Sequence, residues 1–260
     1  MIHPTAIVSP KARLGAEVVV GPYAVVGDDV EVGDRTRIDS HAVVQGPTRL
    51  GANNHLHPFV SIGGDPQDKK YDGSPTRLEI GDRNVIREYC TFHRGTPDGG
   101  GVTRFGDDNW IMAYVHVAHD CQVGSSTVMA NCATLAGHVT VGDFVVLGAF
   151  TVVHQFCAIG RHAFTAMGSV VFKDVPPYVT AGGNAAAAHG INREGLRRAG
   201  FEPVTIQELH RAYRLVYRNG LRVPEALERL EAMRAGCPEV VPFIDFLAAS
   251  SRGIVRQGRR

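Results

Sequence analysis

The sequence predicts an all-β parallel β-helix over residues 1–190, followed by a small α-helical domain over residues 191–260. Three observations support this division. An aliphatic residue recurs every six positions in the first part, and helix-capping and proline signals occur in the second. Most glycines also lie before residue 191. We therefore expect two different architectures joined near that point.

The six-residue period begins at Val8 and runs without exception to Ile62. Its members are Val8, Leu14, Val20, Val26, Val32, Ile38, Val44, Leu50, Leu56 and Ile62. It returns at Ile80 and, shifted by one position, runs from Phe105 to Val171. A period of six fits neither an α-helix nor a heptad. Three short strands instead close a triangular coil, and stacked coils bury the aliphatic residues in a central column.

The residue after each aliphatic position is often glycine, as at Gly15, Gly21 and Gly33. Glycine adopts backbone dihedral angles that other residues avoid. We therefore expect these glycines to supply the unusual φ values that tight corners require.

Two segments interrupt the period, Gly64–Arg77 and Arg94–Thr103. The second is rich in glycine. Loops on a rigid scaffold are favourable places for binding residues, although surface insertions without a function are the alternative. We expect both segments to leave the prism as excursion loops.

Helical signals follow Pro176-Pro177. Thr205 to Glu208 has the form of a capping box and predicts a helix running to Gly220. Pro224 is expected near the start of the next helix, which Gly236 ends. A last helix is predicted over Val240–Ala249, and the tail from residue 256 to 260 is predicted to be frayed.

Composition predicts a cytoplasmic protein with no membrane span. The chain has 27 Lys and Arg against 26 Asp and Glu, and no apolar run reaches the length of a bilayer span. The N-terminus lacks the profile of a secretory signal. Five cysteines form no CxxC pair, which indicates free thiols in a reducing compartment.

Positive charge is concentrated in the second part, where 13 Arg face 8 Asp and Glu. Arg211, Arg214 and Arg218 fall on one helical face. Nucleic acid is not expected as a partner, because the segment lacks interleaved aromatic residues and a reader motif. An acidic protein partner and a merely solvated face remain open.

Four histidines of the middle coils are candidates for chemistry: His116, His119, His138 and His154. His119 and His138 are 19 residues apart, so they should be neighbours on adjoining coils. Neutral imidazole is the usual general base near neutral pH. Three histidines with water would alternatively suit zinc.

Several stretches resemble one family closely. They are QDKKYDGSPTRLEIGDRNVIRE, HVAHDC, ATLAGHVTVGDF, VVHQFC and DVPPYV. The chain resembles the UDP-N-acetylglucosamine acyltransferases that open lipid A biosynthesis in Gram-negative bacteria, which are hexapeptide-repeat enzymes. The resemblance extends from the first coil to the helical tail. It implies a left-handed β-helix and a homotrimer with active sites in clefts between neighbouring prisms, with no cofactor and no metal.

The resemblance also implies the reaction. An (R)-3-hydroxyacyl chain is transferred from acyl carrier protein to the 3-hydroxyl of UDP-N-acetylglucosamine. His119 matches the general base, Asp120 the residue that orients it, and the backbone N–H of Gly137 the oxyanion donor. Adjacent residues on a flat strand point to opposite faces, so pairing of His119 with Asp120 requires a bend between them.

Further residues match the family's binding positions. Those that match the lining of the sugar and pantetheine cleft are His116, His138, His154 and Gln155. Those that match nucleotide contacts are Asp68 and Lys70 for the sugar and phosphate, Asn192 and Glu194 for uridine, and Arg198 for the diphosphate. The family has two consecutive basic residues at this last place, but Ala199 follows Arg198 here and Arg197 precedes it. Which guanidinium contacts phosphate therefore stays open.

Met167 falls on the family's acyl-chain ruler, where long-chain members have glycine. A methionine fills more of a narrow groove, which predicts a hydroxyacyl chain of about ten carbons rather than fourteen. The acidic carrier protein would suit the arginine face of the helical domain.

Three alternatives remain. One is the related N-acyltransferase of the same pathway, which normally has an additional N-terminal uridine-binding domain, whereas this repeat begins by residue 8. The others are a zinc carbonic anhydrase on the same fold and a β-helix scaffold without catalytic activity.

Overall fold

The computed structural model describes residues 1–256, and residues 257–260 of the predicted frayed tail lie outside the described part. The strands are Ile7–Val8 (β1), Arg13–Leu14 (β2), Val19–Val20 (β3), Val25–Val26 (β4), Val30–Val32 (β5), Arg37–Ile38 (β6), Val43–Val44 (β7), Thr48–Leu50 (β8), His55–Leu56 (β9), Ser61–Gly64 (β10), Arg77–Ile80 (β11), Val85–Ile86 (β12), Thr91–His93 (β13), Val102–Phe105 (β14), Trp110–Ile111 (β15), His116–Val117 (β16), Gln122–Val123 (β17), Val128–Met129 (β18), Thr134–Leu135 (β19), Thr140–Val141 (β20), Val146–Leu147 (β21), Val152–Val153 (β22), Ala158–Ile159 (β23), Phe164–Thr165 (β24), Val170–Val171 (β25), Val179–Gly182 (β26) and Ala187–Ile191 (β27).

These strands form the three faces of a left-handed parallel β-helix. Face 1 contains β1, β4, β7, β10, β13, β16, β19, β22 and β25. Face 2 contains β2, β5, β8, β11, β14, β17, β20 and β23, and face 3 contains β3, β6, β9, β12, β15, β18, β21, β24, β26 and β27. We call the turns from face 1 to face 2 the first corner, from face 2 to face 3 the second corner, and from face 3 to face 1 the third corner.

Strands that are neighbours on one face of the prism pair in parallel, and the partner lies one coil further along the chain. Val25 lies beside Val43, 18 residues later. Across the first excursion Ser61 lies beside Thr91, and across the second Thr91 lies beside His116, so the two loops lengthen their coils without disturbing the pairing. Within residues 1–256, only the last pair, β26 with β27, is antiparallel.

The aliphatic column is the core, as the period predicts. The positions from Val20 to Ile62 are at most 4% exposed, and Val8 and Leu14 at the open end are partly buried. The β-helix and the hexapeptide period are confirmed.

The expectation about the glycines is wrong. Gly33 does not adopt a positive φ, whereas Arg35, two residues later, has a φ of 55°. A Cβ atom on Gly33 would lie 2.6 Å from the backbone nitrogen of Ala52 in the next coil. Glycine is therefore needed at this position because neighbouring coils approach closely, and the corner itself is made by a non-glycine residue.

In the described part of the chain, four α-helices follow the prism: Arg193–Arg198 (α1), Pro203–Tyr217 (α2), Val223–Glu231 (α3) and Val241–Ala249 (α4). Short 3-10 helices span Pro97–Gly99 and Pro238–Val240. The capping-box prediction is wrong in detail, because Pro203 opens α2 and Thr205 lies inside its first turn. The helix α2 ends at Tyr217 and α3 at Glu231, before the glycines predicted to end them, and α1 was not predicted.

The helices pack on the end of the prism. The ring of His162 on the second corner stacks on Phe144 at 4.6 Å and meets Phe201 edge-on at 5.1 Å. The Tyr178 hydroxyl donates a hydrogen bond to the Glu239 carbonyl at 2.9 Å. None of the helices within residues 1–256 combines the length and the apolar character that crossing a bilayer requires.

Candidate active site

The first corner brings most of the sequence-predicted site residues together. Its turns hold His119, Asp120, Gly137, His138, His154 and Gln155 on three successive coils. His116 lies beside this corner in β16, and both excursion loops leave the prism from the same corner, on the coils before it. The 18-residue coil stacks these residues because 119, 137 and 155 occupy equivalent places.

His119 and Asp120 form a hydrogen-bonded pair. His119 Nδ1 lies 2.8 Å from Asp120 Oδ2, and the Asp120 side chain is 1% exposed. Asp120 has a φ of 61°, which provides the predicted bend and turns both side chains to the same side. His119 Nε2 makes no hydrogen bond within the described residues.

The second excursion surrounds the Asp120 carboxylate. The Thr96 N–H donates to Oδ1 at 2.8 Å, and the Thr96 hydroxyl donates to Oδ2 at 2.6 Å. The Asp120 N–H in turn donates to the Thr103 hydroxyl at 2.8 Å. The carboxylate is thereby buried but supplied with donors, which offsets the cost of its desolvation.

Gly137 lies directly above His119 in the next coil. A Cβ atom there would be 2.5 Å from His119 Cε1, so only glycine leaves room for the ring. Its N–H makes no backbone hydrogen bond within residues 1–256 and remains available to a ligand. The ring of His138 meets that of His119 edge-on at 5.1 Å, and His138 Nε2 lies 3.7 Å from Asp120 Oδ2.

Two histidines of face 1 are kept neutral beside this pair. Burial, together with His116 and His119, lowers the pKa of His93 to about 4. Burial also lowers the pKa of His116, and the nearby His119 adds to this shift. His116 Nδ1 lies 2.8 Å from the Thr91 hydroxyl. His93 Nδ1 is buried without a hydrogen-bond partner among the described residues. The sequence did not mark His93 as a site residue. The second excursion places its strand more than 18 residues before the next strand of face 1, so the coil spacing does not align it with His116.

His154 and Gln155 occupy the upper end of the first corner. His154 Nδ1 lies 3.1 Å from the Gln155 carbonyl oxygen and 3.3 Å from a guanidinium nitrogen of Arg252. Arg252 comes from the C-terminal segment and has no place in the hexapeptide period. No sequence signal therefore marked it as a neighbour of the site.

The first excursion is fixed at its base by Arg94. This buried guanidinium donates to the carbonyl groups of Gly46 and Gly63 at 2.8 Å and pairs with Asp65. Further along the loop, the Lys70 N–H donates to the Asp68 carboxylate at 3.0 Å, and Lys70 itself is exposed. Asp68 and Lys70 thus stand on an anchored loop at the first corner.

The remaining predicted residues lie elsewhere. A groove of about 480 Å³ on face 3 is lined by Asn192, Glu194 and Arg198 together with Val146, Phe164 and Thr180. Met167 lies on the third corner and is 75% exposed. A single chain does not bring these residues to His119, because face 3 lies opposite the first corner of a three-sided prism.

Asn192 and Glu194 already have partners within the chain. Asn192 caps α1 by accepting from the Gly195 N–H at 3.0 Å, and its amide donates to the His162 carbonyl at 3.0 Å. Glu194 binds Arg197 at 2.6 Å and Arg198 at 3.0 Å. These hydrogen bonds lower the pKa of Glu194.

Among the residues that the structure describes, two groups of side chains are close enough to share a metal ion. They are His119 with Asp120 and His138, and Asp39 with His55 and His57. Each supplies two imidazoles and one carboxylate. In the first group the carboxylate already accepts three hydrogen bonds, from His119 and Thr96.

Comparison with known families gives two matches. A family described as "Udp N-acetylglucosamine O-acyltransferase; Domain 2" matches residues 174–255. A family described as "Bacterial transferase hexapeptide (six repeats)" matches residues 103–137.

Relatives are similar over nearly the whole chain. Acyl-[acyl-carrier-protein]--UDP-N-acetylglucosamine O-acyltransferase from Thiobacillus denitrificans is 55% identical over 255 residues, covering 98% of this chain and 99% of the relative. The protein of the same name from Alkalilimnicola ehrlichii is 57% identical over 255 residues, with the same coverage.

Solved structures agree with this similarity. The UDP-N-acetylglucosamine acyltransferase of Francisella novicida superposes with a TM-score of 0.97 at 40% identity, covering 100% of this chain and 95% of that one. The UDP-N-acetylglucosamine O-acyltransferase of Moraxella catarrhalis superposes with a TM-score of 0.96 at 45% identity, covering 98% and 99%.

Proposed function

The chain belongs to the UDP-N-acetylglucosamine O-acyltransferase family and is an acyltransferase, and we propose that it transfers an (R)-3-hydroxyacyl chain from acyl carrier protein to the 3-hydroxyl of UDP-N-acetylglucosamine. One observation carries this proposal. His119 is paired through Nδ1 with a buried carboxylate, while its Nε2 and the neighbouring Gly137 N–H are both available to substrate.

The proposed mechanism uses this arrangement directly. With its Nδ1–H donated to Asp120, neutral His119 has its lone pair on Nε2. Nε2 takes the proton of the sugar 3-hydroxyl as that oxygen attacks the thioester carbon. The negative charge that develops on the carbonyl oxygen is stabilised by the Gly137 N–H. Collapse of the intermediate breaks the carbon–sulfur bond, and His119 returns the proton to the leaving thiolate.

The proposed active site needs two chains. The groove on face 3 with Asn192, Glu194 and Arg198 lies opposite the first corner of its own prism, so it can serve only the first corner of a neighbour. A contact between two different surfaces closes into a ring when the rotation allows it, and a ring of three chains would pair each first corner with the groove of a neighbour. We therefore keep the homotrimer as part of the proposal.

An exposed aromatic ladder on the third corner supports such an interface. The rings of Tyr23, His41, Phe59, Tyr89 and Tyr114 stack at centroid distances of 4.9 to 5.2 Å. Phe150 continues this corner toward Met167 and is 59% exposed. A contiguous apolar strip of this kind is typical of an interaction surface.

The nucleotide would then lie between the anchored loop and the groove of the next chain. Asp68 and Lys70 would contact the sugar and phosphate, and Asn192 and Glu194 the uridine. Arg197 and Arg198 share one carboxylate in the chain, so either guanidinium can turn to the diphosphate while the other keeps Glu194. Arg198 is the better candidate because it also lines the groove.

Two further proposals concern the acyl carrier. Met167 stands exposed at the third corner, where it can close an acyl groove between chains after about ten carbons.

Arg211 and Arg214 line a depression of about 570 Å³ on α2, with Arg218 at the C-terminal end of that helix. We propose that this surface receives the acidic carrier protein.

A cytoplasmic location completes the proposal. All five cysteines are free, and burial raises the pKa of Cys90 and of Cys121 to about 12. Thiols kept protonated in this way suit a reducing compartment and take no part in the chemistry.

The cluster of His119, Asp120 and His138 favours one competing function, a zinc carbonic anhydrase. Zinc in a carbonic anhydrase has three histidine ligands and a water. Here the third group is a carboxylate that already accepts three hydrogen bonds from protein donors. The acyltransferase mechanism instead needs the free lone pair of His119 Nε2, which a metal would occupy.

The test is an assay of the protein after dialysis against a chelator, with UDP-N-acetylglucosamine and 3-hydroxydecanoyl carrier protein. We expect O-acylated product at full rate, and a loss of at least about a hundredfold in kcat for His119→Gln. His3→Gln, at an exposed histidine remote from the first corner, is the control. Absence of acyl transfer, a rate that depends on metal, or near-normal turnover by His119→Gln would each overturn the proposal.

A further inference from the structure

The second excursion folds directly over the Asp120 carboxylate. It connects β13 on face 1 to β14 on face 2 and contains the 3-10 helix Pro97–Gly99. Thr96 caps that helix by accepting from the Gly99 N–H at 3.2 Å, and it is 4% exposed. The same hydroxyl donates to Asp120, so one buried oxygen joins the loop to the carboxylate.

The glycines of this loop show how close the contact is. A Cβ atom on Gly99 would lie 2.1 Å from Asp120 Cγ, and one on Gly95 would lie 2.8 Å from Asp120 Oδ1. Neither glycine has a positive φ. These positions therefore require glycine for space, and the excursion is fitted to the carboxylate rather than being a tolerated insertion.

We propose that Thr96 is a positioning residue for the acyl transfer, acting on His119 through Asp120. This inference rests on the proposed function. Asp120 Oδ2 accepts from both the Thr96 hydroxyl and His119 Nδ1, while Oδ1 accepts from the Thr96 N–H. Thr96 thus fixes the rotation of the carboxylate so that Oδ2 faces the imidazole, and its hydroxyl withdraws part of the negative charge from that oxygen.

Two effects follow from losing the hydroxyl. The carboxylate becomes free to rotate, so the imidazole is held less firmly and kcat falls. The carboxylate also attracts the protonated form of His119 more strongly, so the acid limb of the pH–rate profile moves to higher pH. The other ionisable groups around the pair are His138, at 3.7 Å from Oδ2, and His116 and His93 on face 1. The Arg94 guanidinium at the base of the loop is directed to Gly46, Gly63 and Asp65.

The test compares Thr96→Val, which keeps the shape, with Thr96→Ser, which keeps the hydroxyl. We expect kcat of Thr96→Val to fall at least about tenfold, as for loss of a hydrogen bond to a charged group. KM for UDP-N-acetylglucosamine should stay within about twofold, the acid limb of the pH–rate profile should move to higher pH, and Thr96→Ser should restore kcat and the profile. Thr76→Val is a matched control, because Thr76 is 4% exposed and its hydroxyl has no partner among the described residues.

Each other outcome rejects the proposal. Wild-type kcat and pH profile in Thr96→Val would show that the hydroxyl does not act on the base. Equal impairment of the Val and Ser variants, or a raised KM with normal kcat, would assign Thr96 a packing or binding role. If Thr96→Val fails to fold, Thr96→Cys, with its weaker donor, takes its place with the same expected direction. A silent Thr96→Val beside an inactive His119→Gln rejects this inference alone, whereas a wild-type chain without acyl transfer rejects the proposed function.

Discussion

Gly137→Ala separates the two roles that Gly137 has in the proposed mechanism. The N–H that would stabilise the oxyanion is retained, because alanine has the same backbone. The added methyl group is directed at His119, since a Cβ atom on Gly137 would lie 2.5 Å from Cε1 and 2.8 Å from Nε2. Gly137 has no positive φ, so the backbone accepts alanine without strain. The substitution is therefore a steric displacement of the base.

The size of the effect follows from these distances. Carbon atoms in contact lie about 3.5–4.0 Å apart, so the ring must move by about 1 Å. A movement of this size exceeds the range over which a hydrogen bond keeps its strength, and the bond to Asp120 is 2.8 Å long. A reacting group misplaced by about 1 Å can cost about a hundredfold in rate. We expect kcat to fall by that factor with little change in either KM.

The assay is steady-state acyl transfer with both substrates varied, beside thermal unfolding. Gly27→Ala is the control, because it lies on the same corner several coils away and its Cβ atom would meet Val44 O at an ordinary 3.4 Å. Overpacking at Gly137 should cost about 1–3 kcal/mol of stability. A wild-type kcat in Gly137→Ala would refute the assignment of His119 as the base, since no other group is displaced in the same way.

Three more outcomes are expected. The wild-type chain should turn over a ten-carbon hydroxyacyl carrier faster than a fourteen-carbon one, and Met167→Gly should reverse that ratio; equal wild-type rates for the two chains would reject the ruler. Arg214→Glu should raise KM for the carrier protein and flatten its salt dependence while leaving kcat unchanged, whereas Arg229→Glu on α3 should do neither. Burial, with a contribution from Arg161, lowers the pKa of His162 to about 4 from an ordinary 6.5. Because the unfolded chain binds this proton below pH 6.5 and the folded chain does not until about pH 4, stability falls as pH drops through that interval. His162→Phe should remove about 2.5 kcal/mol of this loss at about pH 4.5, and an unchanged slope of unfolding free energy against pH would contradict this prediction.

The sequence predicts the features that recur in every 18-residue coil. Inward positions form the column whichever face they lie on, so the period alone defines the core. The same arithmetic places His119 beneath Gly137 and close to His138, because equivalent positions stack. The glycine interpretation failed because spacing cannot tell a residue that needs a positive φ from one that needs room, as Gly33 and Arg35 illustrate.

Residues that reach the site from outside the repeat could not be predicted. Thr96 contacts Asp120 only because of how a glycine-rich loop folds, and Arg252 arrives from the end of the chain. His93 does belong to the stack, but the extra residues of the second excursion hide its register with the next coil. Local spacing is lost at the loops, and the second excursion supplies Thr96 as the hydrogen-bond partner of Asp120.

The division of the proposed site between opposite sides of one prism has a consequence that can be measured. If the first corner of one chain works with the face 3 groove of the next, a chain inactivated by His119→Gln and a chain inactivated at Glu194 and Arg198 should complement each other. In trimers formed from equal amounts of the two, a cleft is intact when its first corner comes from the chain substituted at Glu194 and Arg198 and its groove comes from the His119→Gln chain. Random mixing gives this in about one quarter of clefts. Co-refolded or co-expressed mixtures should therefore recover about a quarter of wild-type activity, although each variant alone is inactive and simple mixing of preformed assemblies recovers none. Failure of the mixed assemblies to exceed the parent variants would mean that corner and groove serve the same chain, and the two-chain site would have to be abandoned.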